Sequence, residues 1–315
     1  IRWKFSDLGV EYSHLFSGRA DRAGLIGAAF SEPTSITKEP DMTRLPRFSA
    51  RIVTLLVFIL GLAVAQTATS GAALSGIKDK GELVLGTSGN MPPMSQKLDD
   101  GKVVGFDVDL ARLMASGMGV KLNIKTMSFN ELLPALQNGD VDVVISNVTM
   151  NPQRNMNVAF VGPYITSGKC VITKEERLAK AAEAENLNVP ETRLAALQGS
   201  TSAEFIKVLL PNASLTLIED YDGGVRMIND GKVGGILTDY PICLAMLKKY
   251  PDAGFVSLFS LLSYEPIGIA IPGTDPLYIN WTENFLKRVE GTGLMEELAV
   301  RWFGRPLDDD EEEAE

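Results

Sequence analysis

A possible grip for a small carboxylate lies in the stretch ISNVTMNPQR, residues 145–154, where an apolar segment runs into a helix start. Asn151 is a favoured N-cap residue, and Pro152 suits the first helical position. Backbone N–H groups at a helix start carry partial positive charge, and Thr149 adds a hydroxyl just before them. Arg154 supplies a planar, permanently charged group that can hold a carboxylate with two parallel hydrogen bonds. The structural alternative is an ordinary cap beside a surface arginine.

A second anion-ready junction lies in RLAALQGSTSAE, residues 193–204, where a strand pattern is followed by Gly, Ser200 and Thr201. Thr201 and Glu204 fit a capping box, which predicts a helix with Thr201 as its N-cap. Helix starts after a glycine-containing turn bind anions readily, although a plain cap explains the same residues. The glycine spacing is not that of a nucleotide-binding phosphate loop, so the sequence does not support that class of site.

An acid that could complement these positive groups is Asp239, which ends the apolar segment VGGILTD. The carboxylate could cap a helix that begins near Pro241, or it could receive an ammonium group. Arg154 and two helix starts for a carboxylate, together with Asp239 for an amine, would recognise the backbone of a free α-amino acid.

The elements that position these residues occur twice along the chain. LQNGDVDVVISN, residues 136–147, aligns with INDGKVGGILTD, residues 228–239. Each reads as a helix end, a glycine, and a strand that ends in small polar residues, and chance similarity is the alternative. Asn147 and Asp239 then hold equivalent positions in two α/β halves.

Strands and helices alternate along the chain in the manner of parallel sheets. ELVLGTS, residues 82–88, and VKLNIKTM, residues 120–127, read as strands, and the helical pattern between them begins near Asp107, a possible N-cap. Ligands bind beyond the carboxyl ends of such strands. Two α/β halves that face each other would therefore bring Asn147 and Asp239 to one cleft.

The N-terminal region carries an export signal. Residues 42–65 combine a basic start, an apolar stretch and an A-x-A site that ends at Ala65, which predicts a cleaved secretory signal peptide and a periplasmic location. Residues 1–41 show no sustained pattern, and we expect them to be non-native upstream sequence or disordered. His14 is the single histidine, so the exported portion lacks the residue that Ser-His, Cys-His and His-zinc chemistry requires.

Composition narrows the remaining classes. The net charge of −10 gives no basic footprint for nucleic acid, and the acidic residues 306–315 are expected to form a disordered tail. Cys170 and Cys243 permit a disulfide in an oxidising compartment, and two buried thiols are equally compatible with the sequence.

Five motifs give the chain from about residue 78 to residue 305 a specific resemblance to a known family. They are GFDVDLA (105–111), LQNGDVDVVISNVTMNPQR (136–154), PYITSG (163–168), LQGST (197–201) and GGILTDY (234–240). In this order they resemble the periplasmic solute-binding proteins of polar amino-acid ABC transporters.

The resemblance implies an α/β fold of two lobes joined by a hinge, of the type II periplasmic-binding-protein kind. Lobe 1 would comprise residues 66–166 and 267–305, and lobe 2 residues 167–266. It also implies a monomer that needs no cofactor or metal and that delivers an amino acid to a membrane permease.

The same resemblance assigns roles to single residues. Arg154 and Thr149 would bind the ligand carboxylate, with Ser200 and Thr201 on the opposite side, and Asp239 would take the α-ammonium group. Asn147 belongs to the ligand-binding set through its place at the equivalent strand end.

The loop after the first strand departs from the family pattern. Relatives usually carry an acid and aromatic residues there, whereas this chain has Ser88, Met91 and Met94. The pocket is therefore predicted to lack an acidic partner for a cationic side chain, which argues against lysine, arginine or histidine as the ligand. The structural alternative for the two methionines is simple core filling.

An enzyme on the same fold is the competing interpretation. Some relatives dehydrate cyclohexadienyl acids such as prephenate and arogenate, a reaction that needs a positioned general acid in the cleft. The absence of an acid at Ser88 favours a binding protein without catalytic activity.

Overall fold

The computed structural model describes residues 71–181, 184–259 and 263–304. These ranges belong to one unit, Thr67–Glu315. The segment 1–41, the predicted signal peptide 42–65 and the acidic tail 306–315 lie outside the described residues.

The described residues form the following strands and helices, numbered along the chain. The strands are β1 (Glu82–Thr87), β2 (Asn90–Met91), β3 (Ser95–Lys97), β4 (Val103–Val104), β5 (Lys121–Thr126), β6 (Val143–Val144), β7 (Ala159–Ser167), β8 (Lys169–Thr173), β9 (Arg193–Leu197), β10 (Ser214–Ile218), β11 (Gly235–Asp239), β12 (Val256–Phe259) and β13 (Glu265–Ile271). The α-helices are α1 (Ala72–Lys80), α2 (Phe106–Met118), α3 (Leu132–Gln137), α4 (Pro152–Asn155), α5 (Glu176–Ala179), α6 (Thr201–Leu209), α7 (Tyr221–Asn229), α8 (Tyr240–Lys249), α9 (Pro276–Gly291) and α10 (Leu294–Phe303).

Two five-stranded sheets organise the fold, with strand orders β5-β1-β6-β13-β7 and β10-β9-β11-β8-β12. In the first sheet β1 runs parallel to β5 and β6, and in the second β9 runs parallel to β10 and β11. The predicted parallel pairing is therefore confirmed for these strands, whereas β13 and β8 pair antiparallel with their neighbours. β8 follows the point where the chain leaves the first sheet, and β13 follows the point where the chain returns from the second sheet.

The outgoing crossing between the two sheets is a single residue, Gly168, between β7 and β8. The returning crossing runs from β12 to β13. Lys169 opens the second sheet after the outgoing crossing, and Glu265 opens the strand that re-enters the first sheet. Both charged residues therefore lie where the two sheets meet.

The repeat that the sequence predicts is confirmed in the fold. After α3 the chain turns through Gly139 with φ 77°, and after α7 it turns through Gly231 with φ 68°. The strands that follow, β6 and β11, lie in parallel beside β1 and β9. Left-handed backbone is accessible to glycine without steric cost, which explains the shared residue type at both turns.

The start of α2 corrects one prediction. Its N-cap is Gly105 and not Asp107, which lies one residue inside the helix. A Cβ atom at residue 105 would lie 2.1 Å from the carbonyl oxygen of Met94, so this close approach requires glycine. The helix then buries Phe106, Leu110 and the rest of one apolar face against the first sheet, a contribution of about 1.5–3 kcal/mol per large side chain.

A disulfide joins Cys170 in β8 to Cys243 in α8, with their Cα atoms 6.6 Å apart. The sequence leaves open whether these cysteines form a disulfide or remain buried thiols, and the structure has the disulfide. The disulfide fixes α8 to β8, the strand of the second sheet that begins at Lys169. None of the helices in the described ranges combines the length and apolar character that crossing a membrane requires.

Candidate functional site

Arg154 lies at the helix start that the sequence predicts to bind an anion. Asn151 caps α4 through its side-chain oxygen, which accepts the Arg154 N–H at 2.8 Å, and Pro152 is the first helical residue. The guanidinium donates from Nη1 to the carbonyl oxygen of Thr149 at 2.8 Å and from Nη2 to that of Gly199 at 3.0 Å. Those carbonyl groups belong to loops at different sheets, so Arg154 bridges the two halves.

The positive charge of Arg154 has no close counter-ion. Among the described residues, no carboxylate oxygen lies within 4.0 Å of its guanidinium. Burial lowers the pKa of Arg154, and the more distant charges of Glu204, Asp239 and Glu265 oppose that shift. The guanidinium carbon also lies 5.9 Å from the ring centre of Phe129. A guanidinium has five N–H donors, so Arg154 retains donors for an incoming anion.

Asp239 ends β11 and is almost fully buried. It occupies the N-cap position of α8, as the structural alternative predicts, but its carboxylate accepts no hydrogen bond from that helix. One oxygen, Oδ1, accepts a hydrogen bond from Lys169 Nζ at 2.6 Å, and Oδ2 accepts one from Asn147 Nδ2 at 2.7 Å. Asp239 thus receives an ammonium group, as its type and position suggested, but that group belongs to the protein itself.

Lys169 and Glu265 are the functional candidates that sequence reasoning missed. The Lys169 side chain has no exposed surface, and its ammonium also contacts Thr201 Oγ1 at 2.7 Å and Glu265 Oε2 at 3.2 Å. A charged residue that opens the otherwise apolar strand KCVIT was a usable signal. The acid that opens EPIGIAI was its counterpart on the returning chain.

Two threonine hydroxyls complete a polar cluster around the Lys169 ammonium. Thr149 Oγ1 donates to Glu265 Oε2 at 2.8 Å, and Thr201 Oγ1 lies 3.0 Å from the same oxygen and 3.3 Å from Thr149 Oγ1. Burial alone raises the pKa of Glu265, but the charge of Lys169 and hydrogen bonds from Thr149, Ser263 and Lys169 bring it below its usual value. Glu265 is therefore held as a carboxylate.

Asn147 connects the cluster to the first sheet. Its backbone lies in the left-handed region, with φ 50°, and its N–H donates to Asp107 Oδ2 at 2.8 Å. Asp107 also accepts from the Tyr164 hydroxyl at 2.8 Å, and burial raises the pKa of Asp107 to about 7. The side-chain oxygen of Asn147 is buried and has no hydrogen-bond partner among the described residues.

The second helix start differs from the prediction by one residue. Ser200 and not Thr201 is the N-cap of α6, and its Oγ accepts the Ala203 N–H at 3.1 Å. The capping box of Thr201 with Glu204 was therefore wrong. Because Ser200 satisfies the helix end, the hydroxyl of Thr201 is free to join Lys169 in the polar cluster.

The loop after β1 lies within the first half. Met91 and Met94 are buried in the apolar core, and Ser88 forms hydrogen bonds with Ser95 and Ser146. Asn90, beside them, donates from Nδ2 to the carbonyl oxygen of Glu219 in the second half at 3.3 Å.

The described residues line at least two cavities between the halves, and neither lining includes Arg154, Thr149 or Asp239. The larger, of about 370 Å³, is lined by residues of the loop after β1 and by residues of α7 and α8: Gly89, Asn90, Pro92, Gln96, Lys97, Asp220, Tyr221, Asp222, Arg226, Met246 and Lys249. The smaller, of about 90 Å³, is lined by Ser128, Phe129, Asn130, Leu197, Gln198, Ile218 and Glu219. Both are cleft space that the two halves share.

Two α/β halves that face each other across a polar cleft, with the chain crossing between them, define a two-lobed binding protein. Residues 83–305 match the family described as bacterial extracellular solute-binding proteins, family 3, and the chain belongs to that family. The family resemblance and the type II fold that the motifs predict are therefore confirmed.

The proteins that this chain resembles include binding proteins and one enzyme. The L-cystine-binding protein TcyJ of Escherichia coli (strain K12) is 25% identical over 80% of this chain and 93% of its own. The cyclohexadienyl dehydratase of Pseudomonas aeruginosa is 24% identical over 82% of this chain and 96% of its own. The crystal structure of the ancestral amino acid-binding protein AncCDT-1, a precursor of cyclohexadienyl dehydratase, is 32% identical, covers 73% of this chain and 98% of its own, and superposes with a TM-score of 0.68.

Proposed function

We propose that this protein is the periplasmic binding component of an ABC transporter, which captures a free amino acid in the cleft and delivers it to a membrane permease. The observation that carries the proposal is Arg154, a cation without a close carboxylate among the described residues, held by carbonyl oxygens of both halves. A ligand carboxylate at the remaining N–H donors of Arg154 would complete the arrangement, and the Thr149 hydroxyl would join it only by leaving Glu265. Ser200, by contrast, contributes through its helix cap.

Ligand capture follows from contacts that exist only when the halves approach. Lobe 1, residues 66–166 and 267–305, supplies Arg154, whereas lobe 2, residues 167–266, supplies the Gly199 carbonyl. A ligand that contacts both lobes binds the closed form better and shifts the hinge equilibrium towards it. Hinge closure around a ligand is the established motion of periplasmic binding proteins. Micromolar to nanomolar affinity corresponds to about 8–12 kcal/mol.

The electrostatics of the cleft favour binding over catalysis. A dehydratase needs a protonated acid near the leaving group. Glu265 has a lowered pKa and is therefore poorly suited to deliver a proton, and Asp239 forms an ion pair with Lys169. The proposal therefore assigns no catalytic residue. It also assigns no cofactor and treats the protein as a monomer exported through its signal peptide.

The test is a thermal-shift panel of the common amino acids and small dicarboxylates on the purified chain, with prephenate and arogenate assayed for turnover. A ligand at 100 times its Kd should stabilise the protein by about 2.7 kcal/mol. Stabilisation by at least one amino acid, with prephenate and arogenate unchanged, supports the proposal. Turnover of either cyclohexadienyl acid would establish the enzyme instead, and an amino-acid panel without any stabilisation would defeat the transport function.

A further inference from the structure

The acid that the sequence assigns to a ligand's ammonium group is already occupied by Lys169. The Lys169 ammonium has three oxygen partners, one each from Asp239, Thr201 and Glu265. These match its three N–H donors, so the group is fully satisfied. Its side chain is completely buried, and a buried charge keeps its place only when it is paired in this way.

The second oxygen of Asp239 is also in use, because it accepts the Asn147 amide. An α-ammonium group that reaches Asp239 therefore shares a carboxylate that Lys169 already pairs, because only the second lone pair of each oxygen remains. Two ammonium groups would then lie side by side in a closed, poorly solvated cluster. Such a like-charge pair is unfavourable, so a competing ammonium gains little from the acid.

Arg154 differs from Lys169 because its charge is not paired. Its guanidinium binds two neutral carbonyl groups, and among the described residues it has no carboxylate within ion-pair distance. The acidic charges of Glu204, Asp239 and Glu265 act on this guanidinium only from beyond ion-pair distance. An incoming carboxylate thus meets an available partner, whereas an incoming ammonium does not.

We propose that Lys169 is a specificity-determining residue, an internal ammonium that holds the acid of the site. Ligand recognition then depends on the carboxylate at Arg154, and the α-ammonium group contributes little to affinity. This inference rests on the proposed function, since it concerns the ligand of the same cleft. It predicts that the protein binds an amino acid and its des-amino carboxylate with similar strength.

The experiment compares matched ligand pairs by calorimetry on the full chain. The pairs are L-glutamine with glutaramate, L-leucine with isocaproate, and L-lysine with ε-aminocaproate, which differ only in the α-ammonium group. We expect the two Kd values of a pair to agree within about threefold for the natural sequence, a difference below 1 kcal/mol. In Lys169→Met the acid becomes available, and the amino acid should gain at least about tenfold over its partner.

A second variant keeps the test decisive if Lys169→Met alone does not fold. Lys169→Met leaves Asp239 and Glu265 as two uncompensated buried acids, whereas Lys169→Met with Glu265→Gln removes one charge of each sign. The same gain in amino-acid preference is expected in this double variant. Lys174→Met, an exposed lysine just beyond the other end of β8, is the control that should leave the preference unchanged.

The outcomes separate this inference from the proposed function. If the natural chain already prefers the amino acids tenfold, or if neither variant increases that preference, the inference is overturned while transport stands. If the natural chain binds no member of any pair, the variants still decide, because only the proposed role of Lys169 predicts that its removal creates amino-acid binding.

Discussion

The two strand ends that the repeat aligns, at Asn147 and at Asp239, share a scaffold but carry different chemistry. At the first end the backbone adopts φ 50° and the residue is a neutral amide. At the second end the backbone is extended, with φ −92°, and the residue is an acid that holds a buried lysine. Their side chains meet across the cleft in one hydrogen bond of 2.7 Å.

This difference shows how a repeated α/β unit produces an asymmetric site. The glycine turn and the buried strand set the position of the last residue in both halves, and the residue type at that position sets its role. One end supplies a donor and the other an acceptor, so the two halves complement each other. The charged residue, Asp239, lies at the second end. Its interactions should therefore contribute more to the free energy of unfolding than those of Asn147.

The largest effect is expected from removing the acidic end. Asp239→Ala removes the acceptor of both Lys169 and Asn147, and hydrogen bonds to a charged group contribute about 1.5–3 kcal/mol each. Asn147→Ala removes a neutral donor and should cost about 1–2 kcal/mol. Chemical denaturation of both variants measures the difference. Asp230→Ala, which breaks an exposed ion pair with Lys232, is the control and should change the unfolding free energy by less than about 1 kcal/mol. Equal costs at the two strand ends would contradict the proposed asymmetry.

A second prediction concerns Asp107, whose carboxylate accepts a hydrogen bond from the backbone N–H of Asn147. Burial raises its pKa from 3.8 to about 7, so the folded protein retains a proton that the unfolded chain releases at lower pH. Between about pH 4 and about pH 7 the folded state binds more protons, and this residue therefore reduces stability as pH rises, by about 3 kcal/mol over that range.

Asp107→Asn should abolish this component, because the amide does not titrate. Denaturation at several pH values measures it as the difference between the two proteins, which cancels the opposite trend of acids with lowered pKa, such as Glu265 and Asp222. The natural protein should lose stability relative to the variant as pH rises from about 4 to about 7. Parallel stability curves would refute a raised pKa at Asp107.

A smaller effect is expected at the contact between the halves. Gly199 has φ +77°, and a Cβ atom there would lie 2.9 Å from Cβ of Asn130 in the first half. Gly199→Ala should therefore disfavour the closed form and weaken ligand binding by about tenfold, or about 1.4 kcal/mol. Gly231→Ala has a similar φ of +68° but open space around its Cβ position, so it is a control for backbone strain alone. Equal losses of affinity in the two variants would show that the contact with Asn130 is unimportant.

Much of the fold and part of the site could be predicted from the sequence. The repeat predicts equivalent positions for Asn147 and Asp239, because a helix, a glycine and a strand are local patterns. The cap at Asn151 is also local, and it correctly positions Arg154. Thr149 and Thr201 come together as the lobes require, 3.3 Å apart, although their contact spans 52 residues of sequence.

The ion pairs of Lys169 could not be predicted in the same way. Lys169 meets Asp239 and Glu265 only because both crossings of the chain converge on one point, and no local pattern encodes that convergence. Lysine is also rarely buried, so a surface position was the natural expectation. The N-cap errors at Asp107 and Thr201 have a simpler cause, since neighbouring residues compete for a cap, and the observed caps lie two residues before Asp107 and one residue before Thr201.

The central claim is that Arg154 binds the ligand carboxylate, and calorimetry on Arg154→Ala tests it most directly. The titrant is the amino acid that stabilises the natural protein most in the thermal-shift panel. The matched control is Arg193→Ala, because Arg193 also donates to two backbone carbonyl groups but lies exposed on the second half. We predict that Arg154→Ala weakens binding by about 100-fold, or about 2.7 kcal/mol, while Arg193→Ala leaves it unchanged. Binding by Arg154→Ala within about threefold of the natural protein would contradict the account.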